Sequence, residues 1–158
     1  MDLAWLFPWL LFAHVLGAIV AFGFGFAAPL IGPMAAAEPQ HGNFVARLNL
    51  RVNTRLVRPA ALSMAVTGVA MILVLGLDLT KNLWLDIAIV LYVIAVLYAT
   101  FVQGKNGERL VDLTSTPPGP GGPNPEIPAT VKKLQQGGLI LFVLIVAIVF
   151  LMVVKPFR

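Results

Sequence analysis

The sequence predicts an all-α membrane protein, a four-helix bundle with an amphipathic helix preceding span two. Three observations carry this. Hydrophobic residues make up 59% of the chain and charged residues only 11%, with a mean hydropathy of +0.90, far from the balance of a water-soluble domain. Four apolar stretches, at about 5–32, 59–77, 83–103 and 137–154, reach the roughly 20 residues that a helix needs to cross hydrocarbon. None alternates polar and apolar residues, and backbone groups in lipid must satisfy one another, which leaves helix.

At 158 residues the chain reads as a single integral membrane domain whose interior is helix packed on helix. The absence of cysteine excludes disulfides, iron–sulfur clusters and thiol catalysis, so any metal or haem ligand must come from His, Met, Tyr or carboxylate. A net charge of +4 speaks here for topology and headgroup contact rather than for nucleic acid. The start, MDLAWLFPWL, has an acid where a signal peptide carries basic residues, and its apolar run is too long for one, so the first helix is expected to stay in the mature chain.

Trp5, Trp9 and Trp84 fall near expected helix ends, as an aromatic belt requires, and Lys155 and Arg158 close the last helix at headgroup level. Arg47, Arg51, Arg55 and Arg58 in the first loop, with Lys105, Arg109, Lys132 and Lys133 in the third, outnumber Lys81, Lys155 and Arg158. Both termini and the DLTKN turn are therefore expected on the non-cytoplasmic side.

Within the first loop, NFVARLNLRVNTRLVRPA, the arginines recur at steps of four, four and three beside an apolar stripe of Phe44, Leu48, Val52 and Leu56. That is the pattern of an amphipathic helix running into span two, its arginines meeting anionic lipid or a partner at the membrane surface. Pro59 marks where this surface helix is expected to bend or restart as the spanning one. The segment TSTPPGPGGPNPEIP, residues 114–128, holds six prolines and three glycines and reads as an extended tether or a partner-binding peptide.

The candidate site lies in HVLGAIVAFGFGFAAP. On a helical wheel His14, Gly17, Ala21, Gly25 and Ala28 share one face, and an ionisable residue in lipid turns toward the bundle interior. His14 sits about nine residues into its helix, roughly 13 Å from the outer boundary at 1.5 Å per residue, where Thr67, Gly68 and Tyr92 are expected to meet it. Asp86 lies roughly 9 Å nearer the outer surface on the same count.

Several readings stay open. His14 is a structural imidazole bonded to Thr67 or Tyr92, or an axial ligand of haem b with Gly17, Ala21 and Gly25 admitting the porphyrin and Thr67 and Tyr92 lining its site, or part of a proton relay with Tyr92 and Asp86. A metal other than haem iron would need more ligands than this one histidine. His41 lies on the opposite side of the membrane, and Met64 and Met71 are within about a turn of the right depth on helix two, where methionine usually packs. The chain has no phosphate loop, serine triad or paired catalytic carboxylates, and GFGFA lies in an apolar span rather than after a strand.

The run LLFAHVLGAIVAFGFGFAAP, the Arg58–Pro59 opening of a helix containing TG, and WLDIAIVLYVIAVLY together resemble a group of small four-helix bacterial membrane proteins, over roughly the first two thirds of the chain. The group includes a predicted integral membrane family of unknown function. Related layouts occur in the four-helix bacterial protoporphyrinogen oxidase and in copper-resistance membrane domains. The resemblance implies the bacterial cytoplasmic (inner) membrane and, from the oxidase, haem binding at His14 in its HxxG step with Gly17. It also implies a lysine shortly after the tryptophan of helix three, a position that Ala88 occupies here, which argues against porphyrinogen oxidation. Copper carriage would use His and Met clusters that the chain lacks. The expectation is a haem-associated or redox-linked membrane protein with His14 as the candidate axial ligand, with enzymatic activity not favoured. The alternative is a non-catalytic accessory or assembly subunit of a larger complex or a homo-oligomer, in contact with lipid and not with nucleic acid.

Overall fold

The computed structural model describes residues 3–116 and 122–156, the side chains of residues 28 and 29 excepted. The middle of the expected tether, the Ala28 side chain and Arg158 therefore lie outside the described residues. The chain is all-α: α1 (Phe7–Ala37), α2 (Gly42–Val52), α3 (Arg58–Leu75), α4 (Leu83–Leu97), α5 (Gly104–Ser115) and α6 (Glu126–Val154). A π-helical turn, Asn53–Val57, joins α2 to α3 without a break, and a second, Tyr98–Gln103, joins α4 to α5. The result is four rods, Ala4–Ala37, Pro39–Leu75, Leu83–Ser115 and Glu126–Val154, each long and apolar enough to cross a membrane.

These rods are longer than the apolar stretches alone. Helical bonding in span two runs through Pro59 without interruption, from Pro39 to Leu75. Pro59 sits in the first turn of α3, and the π turn just ahead of it absorbs the irregularity that the ring imposes. The proline-rich segment is shorter than expected. Helix α5 continues to Ser115, and α6 begins at Glu126, whose amide donates to Asn124 Oδ1 at 2.9 Å, with Pro128 in the first turn where its missing N–H goes unused. The second rod, 37 residues long, measures roughly 55 Å against about 30 Å of hydrocarbon, so α2 stands beyond the apolar slab.

The rods associate as two pairs, α1 on α3 and α4 on α6. At the end nearest the termini the pairs meet around Trp84, Leu85, Ala88 and Leu151, with Ile72 of α3 and Met152 of α6 against them. Trp84, at the start of α4, is buried in this cluster, and Lys155 Nζ lies 5.3 Å from its ring centroid, a cation–π contact between the end of α6 and α4. Trp5 and Trp9 are exposed, as belt residues are. The α3–α4 connection is tight: Gly76, at φ +59°, takes the left-handed position that ends α3, and Leu77 N donates back to Ile72 O at 3.1 Å. Asp78 Oδ1 then accepts from Thr80 N at 3.0 Å and from Thr80 Oγ1 at 2.7 Å.

At the opposite end α2 packs on α5. Asn43 Nδ2 donates to Val111 O at 3.3 Å and to Thr114 Oγ1 at 3.1 Å, while Ala46 and Leu113 are buried. Arg109 Nη2 reaches Glu126 Oε2 at 2.7 Å and ties α5 to α6. The outer faces carry exposed Phe12, Ile19, Leu73 and Val153, the surface that lipid rather than water covers.

Candidate functional site

The residues expected around His14 divide between two places. His14 lies where α1 meets α3, and its Nδ1 is 3.0 Å from Thr67 Oγ1. The Thr67 hydroxyl hydrogen is directed at Ser63 O, 2.8 Å away. With its hydroxyl so engaged, Thr67 Oγ1 can accept from the tautomer that carries its hydrogen on Nδ1, the one that keeps a lone pair on Nε2. Gly68 completes the contact: a β-carbon there would lie 3.4 Å from His14 Cε1. Gly17, one turn on, admits Met64 and Ser63, since a β-carbon would sit 2.9 Å from Met64 Cγ and 3.1 Å from Ser63 Oγ. This part of the small-residue face is occupied by α3. A porphyrin lying along it would need the room that Met64 and Ser63 take.

Tyr92 does not meet His14. Its hydroxyl donates to the carbonyl of Ala61, six residues before Thr67 and so roughly 9 Å along α3. Asp86 stays in the first turn of α4, where the helix dipole favours a carboxylate. The relay His14–Tyr92–Asp86 is therefore not assembled among the described residues.

Ala21, Gly25 and Tyr92 instead line a cleft of about 2640 Å³ between the two helix pairs. Its walls are apolar, with Ala61 and Ala65 from α3, Ala95 from α4 and Ala99 from the second π turn among the lining. Phe26 of α1 and Phe142 of α6 meet edge to face on one side, their centroids 5.7 Å apart. Gly25 has open space where a β-carbon would be. Toward the α2–α5 end the lining turns polar, with Asn49, Asn53, Arg58, Gln103 and Gln135.

Arg47, Arg51 and Arg55 are exposed on the outside of the second rod, but Arg58 is half-buried and lines the cleft. The π turn explains the departure. Its i→i+5 bonding puts more residues into each turn, which rotates Arg58 off the stripe that even α-helical spacing predicts. Glycine makes room for it, because a β-carbon at Gly104 would stand 2.5 Å from Arg58 Nη2. Gln103 is seated in the same way against Gly137 of α6, and its Nε2 donates to Leu134 O at 2.9 Å. Arg58 Nε, Asn49 Oδ1 and Gln103 Oε1 are buried without a hydrogen-bond partner among the described residues. Sequence reasoning missed Asn49, Gln103, Gly104 and Gly137, and set Arg58 among the surface arginines. The available signal was a polar residue beside a glycine, Gln103–Gly104 and Gln136–Gly137, at the edges of the apolar runs.

Among the described residues outside the spans, Asp78 has a perturbed carboxyl. The Thr80 hydroxyl and amide, with the Lys81 ammonium, hold Asp78 below the usual carboxylate range.

Four apolar rods and a cleft between helix pairs define an integral membrane protein of helical type. The chain matches, over residues 8–156, the family described as predicted integral membrane protein DUF2269, and it belongs to that family. No curated protein and no solved structure matches it. The likeness to oxidase and copper-resistance domains finds no support in these comparisons. Ala88 is fully buried beside Trp84, Leu85 and Leu151, an apolar setting in which an ammonium would be unsolvated.

Proposed function

We propose that this chain is a non-catalytic accessory protein of the membrane that holds a large amphipathic ligand between its two helix pairs. One observation carries the reading: a cleft of about 2640 Å³, against roughly 300–1,000 Å³ for ordinary small-molecule pockets. Helices in lipid associate by close packing, so a gap on this scale gives room for an occupant. The experiment is native mass spectrometry on the full chain extracted in mild detergent, with solvent extraction of what it carries. The expected result is a discrete amphipathic species held at fixed stoichiometry through exchange into fresh detergent. Protein that exchanges to the bare chain, and whose unfolding temperature membrane extract does not raise, overturns the reading.

Haem association through His14 is the second reading, favoured by the Nδ1–Thr67 hydrogen bond that leaves Nε2 as a ligand atom. Haem held at Nε2, clear of the Gly17 face that Met64 and Ser63 fill, would supply one-electron redox chemistry, with His14 holding the iron and Thr67 fixing the ring's orientation. A Soret band in the purified protein that His14→Ala removes supports this reading. A colourless preparation from cells with ample haem overturns it.

A further inference from the structure

We infer that the cleft is filled sideways from the hydrocarbon of the bilayer, through an opening between α3 and α4 that the Tyr92 side chain straps shut. This rests on the cleft being a ligand site and adds the route by which its ligand arrives, which makes that ligand a molecule dissolved in the membrane.

The first argument is elimination among the sides of the cleft. At the end nearest the termini the two pairs are joined by Trp84, Leu85, Ala88 and Leu151, with Ile72 of α3 against them. At the opposite end α2 packs on α5, with Asn43 bonded to Val111 and Thr114, and the Arg58 guanidinium lies against Gly104. Along one flank α1 meets α6. Phe26 and Phe142 stand edge to face there, and a β-carbon at Gly32 would lie 3.8 Å from Gln135 Nε2. The other flank differs. Beyond the Trp84 cluster, α3 and α4 are not packed on one another although they follow each other in the chain. The lining they contribute includes Ala61, Ala65 and Ala95, and small side chains let helices in lipid approach closely. Here the approach is not made, and methyl groups leave the gap between the backbones unfilled.

The second argument is the position of Tyr92. It lies nine residues past the start of α4, roughly 13 Å at about 1.5 Å per residue, so it stands within a hydrocarbon slab about 30 Å thick. Its hydroxyl donates to Ala61 O and so crosses from α4 to α3. By contrast, the bond between His14 and Thr67 stays inside the first pair and that from Gln103 to Leu134 inside the second.

The third argument is that this bond can be released without breaking a helix. Ala61 lies inside α3, where the α-helical ladder also gives its carbonyl the amide of Ala65. Withdrawal of Tyr92 therefore leaves that carbonyl satisfied, and only the phenol needs another acceptor. Tyr92 lines the cleft, so an oxygen on an entering ligand is within its surroundings as the strap opens.

The test places a single cysteine in the cysteine-free full chain at Ala21, a buried position of the cleft lining. The protein is reconstituted in phosphatidylcholine vesicles and reacted with N-pyrenylmaleimide, which partitions into the bilayer. Labelling of Ala21→Cys is expected to be slow and to accelerate at least threefold when Tyr92→Phe is added. Phe142→Leu, on the opposite flank, should change it less than twofold. The exposed reporter Leu73→Cys should keep one rate in all backgrounds, which separates an opened strap from general loosening. Should Ala21→Cys fail to fold, Ala65→Cys in the same lining carries the same expectations. Labelling indifferent to Tyr92→Phe, equal acceleration by Phe142→Leu, or no labelling in any background overturns the lateral route. Native mass spectrometry judges the ligand site separately. A retained species with labelling indifferent to Tyr92 keeps the site and removes the route, whereas Tyr92-sensitive labelling with nothing retained keeps the opening and removes the ligand reading.

Discussion

Glycine 17 lets Met64 and Ser63 approach the backbone of α1, and leucine there would force that contact apart. Gly17→Leu is expected to lose about 1–3 kcal/mol through overpacking, measured by thermal unfolding in detergent. Gly25→Leu, where nothing lies within 4 Å of the added β-carbon, is expected to unfold close to the wild type and to reduce what the cleft holds. The small residues of α1 thus form two surfaces: one closed by α3 and one lining the cleft. Sequence spacing shows that His14 and the glycines share a face, and counting turns finds Thr67 and Gly68 beside the imidazole. The count fails for Tyr92, because it treats helices as parallel and of equal offset, while a long side chain reaching the Ala61 carbonyl belongs to a different level. The inward turn of Arg58 is likewise invisible to a wheel drawn at one fixed angle per residue.

At the scale of elements, the short α3–α4 connection is a pH-sensitive piece. Asp78 is held below the usual carboxylate range by the Thr80 hydroxyl and amide, with Lys81 Nζ 3.4 Å from Oδ2. A depressed folded value means that the carboxylate supports the loop fully above the unfolded value, and that this support is lost as pH falls through the folded one. Protection of the Thr80 amide from hydrogen exchange is therefore expected to be present at pH 7 and lost in strong acid. Asp78→Ala should remove it at both pH values, while amides of the α4 interior stay protected. The four rods and the amphipathic α2 were legible, because a hydropathic run and its edges record what lipid tolerates. The π turns were not, since no local propensity specifies them. They arise where two rods must turn polar side chains toward a shared cleft without breaking the backbone ladder in lipid.

For the whole molecule, the arginines and lysines crowd the α2–α5 end, and the positive-inside rule then expects that end in the cytoplasm. The cysteine-free chain makes the measurement direct. With Lys81→Cys, an impermeant maleimide is expected to label intact spheroplasts, and with Ser115→Cys only permeabilised ones. The reverse pattern would invert the topology. Architecture at this scale was readable only as four spans. Which spans pair is decided by surfaces such as Gly17 on Met64 and Ala88 beside Leu151, whose complementarity no single stretch displays. The pairing of α1 with α3 and of α4 with α6 also joins neighbours in the chain, with the turn around Asp78 as the covalent bridge between them. Each side of that bridge is a helical hairpin with an even number of crossings, so each can insert with its own ends on one face of the bilayer. The protein is in effect a dimer of unlike halves that share a single chain, and co-expressed fragments divided within residues 78–82 should find one another through the Trp84 cluster and the α2–α5 contact.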